Sequence, residues 1–277
     1  MIPAAFDYIE AGSADEAIAA LGQHGDEAKL MAGGHSLIPL MKFRLAAPSV
    51  VVDIGRITDL SYINDGGDHV AIGALTRHSA VETSEMLKAE APLLAHVASQ
   101  VGDPSVRHRG TIAGSIAHGD PASDLPAALL ALGGSVMVKG PNGEREIAAA
   151  DLFTGFLETA VGADEMIIEV RIPKMPGAGW SYQKFNRRAQ DWAIVGVAAV
   201  SANSNGGAAT VSLVNMGATP ILATAVNHAL ASGADVDAAA AVAAQGTEPP
   251  EDLNGDVEYR THLAQVLVKR ALTEAAG

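Results

Sequence analysis

The 277-residue chain contains no cysteine. That absence excludes disulfides, thiolate zinc sites, thiol nucleophiles and any iron–sulfur cluster ligated from this chain. Aromatic residues are scarce at 4%, too few for a stacking platform along single-stranded nucleic acid. Positive charge is also short. Eighteen Lys and Arg face 32 Asp and Glu, a formal net charge of −14, which argues against a general nucleic-acid binder. No Lys or Arg at all occurs from Ala189 to Tyr259, so much of the acidity lies toward the C-terminus. Long apolar runs are missing too: the Ala- and Val-rich stretches are broken by Asp, Gly or Asn well before the roughly 20 residues of a membrane span. The opening MIPAAFDYIEAGSADEA has neither a basic start nor a continuous apolar core, so no secretory signal is expected and the plain expectation is a cytoplasmic protein. What remains is 48% hydrophobic with 29 Gly and 13 Pro, ample for a packed core in two domains or one large mixed domain.

Along the chain, Ser13 and Glu16 form a capping-box pattern ahead of Ala17, Ile18 and Leu21 at helical spacing. Lys29-Leu30-Met31 reads as a short strand, Leu37 to Leu45 as a short helix, and Val50 to Ile54 as a buried β-branched strand. The first ~55 residues therefore read β–α–β–α–β and favour a small parallel sheet. Short strands follow at Tyr62-Ile63, His69 to Ile72, Val136 to Val138 and Met166 to Val170, with a helix from Pro92 to Val101. The run Gly102 to Pro126, rich in Gly, Pro and polar residues, reads mostly as ordered loop, and loops of that length are often functional. A boundary is expected near Pro173 to Gly177, giving domains 1–175 (parts about 1–55 and 56–175) and 176–277. Beyond it, Trp180 to Asn186, Ile194 to Ala202 and Ala209 to Val214 suggest an antiparallel sheet, and Thr224 to Ala231, Val236 to Ala244 and Glu258 to Thr273 suggest helices.

Two segments carry candidate chemistry. Ala32-Gly33-Gly34-His35-Ser36 directly follows a strand. Adjacent glycines permit positive φ and close approach to the backbone, and consecutive N–H groups in such a turn suit a pyrophosphate. An ordinary Gly-Gly turn explains the same residues, and neither the Gly-x-Gly-x-x-Gly fingerprint nor the P-loop lysine is present. The second is Gly110-Thr111-Ile112-Ala113-Gly114-Ser115, preceded by Arg109 and continuing to Asp124. Its small side chains and hydroxyls suit phosphate or ribityl oxygens, and Asp124 is an acceptor for sugar hydroxyls; a well-packed loop is the bland alternative. His118 and Asp120 lack a third ligand at metal-binding spacing. Lys184, Arg187 and Arg188 cluster after a strand, facing either an anion or solvent.

Taken together, Ala32 to Ser36 and Thr111 to Ser115 resemble the FAD-binding medium subunit of molybdenum hydroxylases, and within that family look most like the aerobic carbon monoxide dehydrogenase medium chains. Further matches are Ile2-Pro3 with Phe6-Asp7-Tyr8, Leu37 to Lys42, Gly119-Asp120-Pro121 before Asp124, then Tyr182, Lys184 and Ala193, and Glu258-Tyr259-Arg260. The resemblance spans essentially the whole chain. It implies an α+β fold: a two-part FAD-binding domain of the vanillyl-alcohol oxidase or PCMH type, followed by a C-terminal α/β domain with an antiparallel sheet and helices. It also implies FAD held by residues 32–36 and 110–115, with Asp124 touching the cofactor, Ile168 near its rings, and Lys184 at a basic position. Ala113 departs from the family, where many relatives have Gly; its methyl is tolerable if φ is negative. The expected partners are a large molybdenum-cofactor subunit and a small iron–sulfur subunit, in a dimer of heterotrimers associated at most peripherally with the membrane. The missing cysteines then follow, because the partners hold the clusters and this chain passes electrons through FAD to an external acceptor. No catalytic residue acting on the substrate is expected here. The competing reading is a stand-alone flavin oxidase with FAD attached at His35, since Gly-Gly-His also resembles that turn.

Overall fold

A computed structural model describes residues 1–201 and 209–277. The chain begins with β1 (Asp7–Glu10), α1 (Ala14–His24), β2 (Ala28–Met31), α2 (Leu37–Lys42) and β3 (Val50–Asp53). The Ser13 hydroxyl accepts from the Glu16 amide at the start of α1, as the capping pattern predicts. Strands β1 and β2 both pair in parallel with β3, in the order β1-β3-β2. Val50 and Val52 pack with Ala17, Ile18 and Leu21 of α1 in a core that Leu75 and Met166 from later in the chain also join. This is the β–α–β–α–β unit expected from the sequence.

The second part contains β4 (Ile63–Asp65), β5 (His69–Gly73), α3 (His78–Thr83), α4 (Glu85–Glu90), α5 (Pro92–Ser99), α6 (Pro104–Arg109), α7 (Ile112–His118) and α8 (Asp124–Ala131). It continues through β6 (Ser135–Gly140), β7 (Gly143–Ala148), α9 (Ala149–Leu152), the hairpin β8 (Phe153–Gly155) and β9 (Glu158–Thr159), and β10 (Met166–Pro173). Five strands form an antiparallel sheet ordered β4-β5-β10-β6-β7. The segment 102–126, expected as loop, is instead built largely from α6, α7 and the start of α8. Its Gly, Pro and polar residues are helix punctuation. Asp103 caps α6 by accepting from the Val106 amide, with Pro104 in the first turn; Thr111 caps α7 by accepting from the Gly114 amide, and Gly119 ends it. Between those signals Ile112, Ile116, Leu125 and Leu129 are buried, so tertiary packing holds helices too short to stand alone.

The C-terminal part comprises β11 (Gly179–Phe185), β12 (Val195–Ser201), β13 (Ala209–Val214), β14 (Ile221–Leu222), α10 (Thr224–Ala231), α11 (Val236–Ala241) and α12 (Val257–Ala275). The strands are antiparallel in chain order. The strand predicted at Ile194 to Ala202 is observed through Ser201, and Ala202 lies outside the described residues. Every residue of β12 is buried. Val195, Val197 and Ala199 face the core shared with α12, whereas Ala198 and Val200 face the core that contains α8. A sheet covered on both sides requires a continuous apolar run, and Val195 to Val200 supplies it. The same arrangement joins the C-terminal sheet to the second part through one hydrophobic core. Among the described residues no helix is long and apolar enough to cross a membrane.

Candidate functional site

Residues 32–36 run from the end of β2 to the start of α2 and lie against the segment that connects α6 to α7. Gly33 makes the closest approach. A Cβ placed there would stand 2.3 Å from the Arg109 carbonyl oxygen and 3.0 Å from Gly110 Cα, so no side chain fits. Gly34 has φ +78, a left-handed conformation that a side chain would strain. The two segments predicted separately from sequence are thus in contact. Among the described residues, the amides of Gly33, Gly34, His35 and Ser36 donate to no protein acceptor. Four successive unspent N–H groups around a sharp turn form an anion receptor. Ala32, Gly33, Gly34 and Ser36 are half-buried, and His35 is exposed.

The second segment offers something different. The amides of Ile112 and Ala113 donate to Thr76 and Ala74 carbonyls at 3.0 and 3.2 Å, Ser115 donates to the Thr111 carbonyl at 3.1 Å, and Gly114 reaches Thr111 Oγ1 at 3.3 Å. Its backbone is largely occupied in anchoring the start of α7. What it presents is small surface and the Ser115 hydroxyl, which lies 3.1 Å from His78 Nε2. Ala113 sits inside α7 with its methyl buried in the core, so the departure from glycine is accommodated away from the exposed side.

Positive charge collects here in an otherwise acidic chain. Arg77 donates to the Arg109 carbonyl, and neither guanidinium makes an ion pair among the described residues. Burial and the neighbouring Arg109 charge both push Arg77 below its ordinary value, and Asp53 partly offsets that push. Burial, reinforced by His35, Arg77 and Arg107, brings His78 from 6.5 down to about 4, so its ring is neutral at physiological pH. Two neighbouring arginines without a direct ion pair among the described residues, beside four unbonded amides, suit an anionic group such as a diphosphate. Arg77 and His78 carry no local sequence signal; a bridge pairing Arg77 with Thr111 brings them in. Arg109 stands beside Gly110 in sequence, but its missing counter-ion is visible only in three dimensions.

Of the remaining predicted residues, Asp124 and Lys184 meet each other. Lys184 Nζ lies 2.8 Å from Asp124 Oδ2 and donates to the Gln100 carbonyl at 3.0 Å, while the Tyr182 hydroxyl donates to Asp124 Oδ1. Both side chains of the ion pair are more than nine-tenths buried. Burial pushes the Asp124 carboxyl upward against the pull of Lys184 and Tyr182, and burial with the nearby carboxylate pushes Tyr182 well up. This cluster ties α8 to β11. Ile168 is the extra residue of a β-bulge in β10, half-buried. Its carbonyl accepts from the Ala74 amide, whose own carbonyl accepts from Ala113, so it stands one residue removed from the second segment.

Past the C-terminal end of α7 opens a groove of about 600 Å³, with Asp120, Pro121 and Ala122 on one side and Trp192, Ala193 and Ile194 on the other. Asn215 joins the two walls: its amide donates to Pro121 O at 2.7 Å and its Nδ2 to Ala193 O at 2.9 Å. It does so at φ 61, a conformation Asn tolerates better than most residues. Trp192 is 70% exposed and Phe156, which also lines the groove, 67%. Arg187 lines the groove without an ion pair among the described residues, whereas Arg188 pairs with Asp191 at 3.2 Å.

Residues 4–175 match the model of the FAD binding domain in molybdopterin dehydrogenase, and residues 180–275 that of the CO dehydrogenase flavoprotein C-terminal domain. The chain is 42% identical to the carbon monoxide dehydrogenase medium chain of Hydrogenophaga pseudoflava, over 99% of this chain and 98% of that one. It is 37% identical to the 6-hydroxypseudooxynicotine dehydrogenase complex subunit alpha of Paenarthrobacter nicotinovorans, over 99% and 96%. A solved carbon monoxide dehydrogenase from Hydrogenophaga pseudoflava superposes with a TM-score of 0.96 at 43% identity, over 99% of this chain and 98% of that one.

Proposed function

The chain belongs to the FAD-binding medium-subunit family of the molybdenum hydroxylases, and on that premise we propose that residues 32–36 and 110–115 together hold the cofactor's diphosphate. It is a flavoprotein subunit of an oxidoreductase of the carbon monoxide dehydrogenase and xanthine dehydrogenase family. The molybdenum cofactor and iron–sulfur clusters of such a complex reside in other subunits. This accords with a chain that has no cysteine.

The residues present fit FAD. Gly33 leaves backbone exposed where a Cβ has no room, and the amides of Gly33 to Ser36 are unspent. Ser115 adds a hydroxyl, and Arg77 and Arg109 add charge that forms no direct ion pair among the described residues. When bound, FAD supplies a centre that accepts electrons and releases them to a second carrier. The protein's part is to bind it, orient it and set its surroundings. In this reading the groove beyond α7 takes the ring end: α7, seven residues long, spans about 10 Å. Ile168 borders the path. Asp124 has two oxygens and about four acceptor positions, two of them already taken by Lys184 and Tyr182. It contacts cofactor hydroxyls through the rest, while Lys184 pulls against the upward push of burial. No residue here is assigned to substrate oxidation.

In such a complex the FAD held by this chain would link iron–sulfur clusters of a small subunit to an external acceptor, with substrate oxidation belonging to the large molybdenum-cofactor subunit. Relatives that match end to end carry names with different substrates, carbon monoxide in one and 6-hydroxypseudooxynicotine in another. The flavin subunit is therefore common equipment, and substrate choice lies in the large partner. We place the assembly, a dimer of heterotrimers, in the cytoplasm with at most peripheral membrane contact. A stand-alone oxidase with FAD attached at His35 finds no support, because the relatives are subunits of complexes. The observation that carries the reading is the contact of the two glycine segments beside unpaired arginines. The purified chain should bind FAD releasably by acid, bleach with dithionite and oxidise no substrate alone. Substrate turnover by the isolated chain, or flavin that stays with the acid pellet, overturns it.

A further inference from the structure

His78 is the first residue of α3 and is 2% exposed. It grips the second glycine segment at both ends. Its backbone amide donates to the Gly110 carbonyl at 3.0 Å, and its Nε2 lies 3.1 Å from Ser115 Oγ. The Cδ2–Nε2 edge of the ring lies against Gly110, where an added Cβ would come within 2.6 Å of His78 Cδ2. Nδ1 is buried and meets no hydrogen-bond partner among the described residues. A buried imidazole nitrogen left unpaired carries a cost that folding alone does not explain, since an apolar ring would fill the same space without it.

We propose that His78 is a positioning residue for the cofactor, fixing the Ser115 hydroxyl so that its proton points at an anionic oxygen of the diphosphate. A serine hydroxyl has one proton and two lone pairs. If that proton is given to the ligand, Oγ must accept from the ring, which places the His78 proton on Nε2 and leaves Nδ1 as a bare acceptor. The opposite tautomer buries an N–H without an acceptor and turns the serine proton back toward the ring, away from the ligand. Aiming Ser115 outward therefore leaves at the partnerless Nδ1 a bare lone pair and not a buried N–H. This inference rests on the reading that residues 110–115 face FAD.

The test is a double-mutant cycle on FAD affinity in the full-length chain, combining His78→Leu with Ser115→Ala. His78→Leu should weaken FAD about tenfold or more, and should add little once Ser115→Ala is present. His78→Gln, whose amide nitrogen reaches the position of Nε2, should restore affinity to within about threefold of the unaltered chain. That variant keeps the test decisive if His78→Leu folds poorly. Nitrogen-15 NMR of the FAD-loaded chain should show the His78 proton on Nε2. Equal losses from His78→Leu with and without Ser115, or a proton on Nδ1, overturns the inference. Gly33→Ala distinguishes the two levels: if it retains FAD, the loop assignment falls and this inference with it. If it loses FAD while His78→Leu does not, the role of His78 alone is refuted.

Discussion

Replacing Gly33 with alanine adds a single methyl group at the point where the two glycine segments touch. That carbon would stand 2.3 Å from the Arg109 carbonyl oxygen, 3.0 Å from the Arg109 carbonyl carbon and 3.0 Å from Gly110 Cα. Carbon and carbonyl oxygen rest at about 3.3 Å or more, so the segments must part by about 1 Å. All three contacts are backbone, and no rotamer change relieves them. The strain should lower the stability of the chain by about 1–3 kcal/mol, the usual range for overpacking. Cofactor binding should suffer more if, as proposed, the amides of Gly33 to Ser36 and the Ser115 hydroxyl hold one ligand. Losing two charge-assisted hydrogen bonds at ~1.5–3 kcal/mol each predicts an FAD affinity lower by about 10²–10⁴-fold. Gly34→Ala is the graded control. Its left-handed φ costs ~1–2 kcal/mol, but the atom it meets, Ile38 Cδ1 at 2.7 Å, is the free end of a side chain that can swing away. FAD titration by fluorescence or calorimetry, beside thermal melts of the apo chains, gives both quantities. A Gly33→Ala chain that binds FAD within threefold of the unaltered one refutes the reasoning.

Lys184→Met should cost about 3–5 kcal/mol in urea unfolding, because it strands the buried Asp124 carboxylate, and adding Asp124→Asn should recover part of the loss. Arg260, fully buried and paired with Asp252 at 2.7 Å while donating to the Ile194 carbonyl, should matter less, because Asp252 is exposed and is not stranded: Arg260→Met should destabilise by ~1–3 kcal/mol through the buried carbonyl left unpaired; a loss under 1 kcal/mol contradicts that role. Ala113→Gly, which restores the commoner family residue, should destabilise by ~1 kcal/mol through helix propensity and leave FAD affinity unchanged, since the methyl points into the core. His78 gives a pH signature. The unfolded ring takes a proton as pH falls through 6.5, whereas the folded ring refuses it until about 4. Stability should therefore decline across that window by up to ~3 kcal/mol and the decline should be flatter in His78→Gln, measured as urea midpoints at pH 7 and 4.5.

Much of the fold is legible because its periodicities are local. The β–α–β–α–β start is written in Ser13 with Glu16 and in Val50 to Val52, and the structure returns it as a parallel sheet. The apolar run in β12 announces a strand covered on both faces. The failure at 102–126 has an equally definite cause. Three helices of six to eight residues are mostly ends, and helix ends are made of the Asp, Thr, Pro and Gly that also mark loops. What distinguishes them is burial of Ile112, Ile116, Leu125 and Leu129 against strands far away in sequence, which no local window contains.

The site divides along the same line. Gly33, Gly34 and the Thr111 to Ser115 run are visible in sequence because backbone demands at a turn leave small residues in a row. The charge that makes the site selective for a diphosphate is not visible, since an arginine lacks a counter-ion only relative to its neighbours in space. Across the chain 32 carboxylates outnumber 18 basic side chains, so cations can readily find partners, and Arg107 does so with Glu82 at 2.8 Å. Arg109, two residues further on, and Arg77, whose guanidinium donates to the Arg109 carbonyl, make no such pair among the described residues, and Asp53 acts on Arg77 only at longer range. In a strongly acidic protein, two adjacent unpaired guanidiniums are costly unless an anion arrives, and the unbonded amides of residues 33–36 lie where that anion would be received. Glycine-rich turns occur in many folds for purely structural reasons. The conjunction of such a turn with cations left unneutralised separates a cofactor cradle from an ordinary bend.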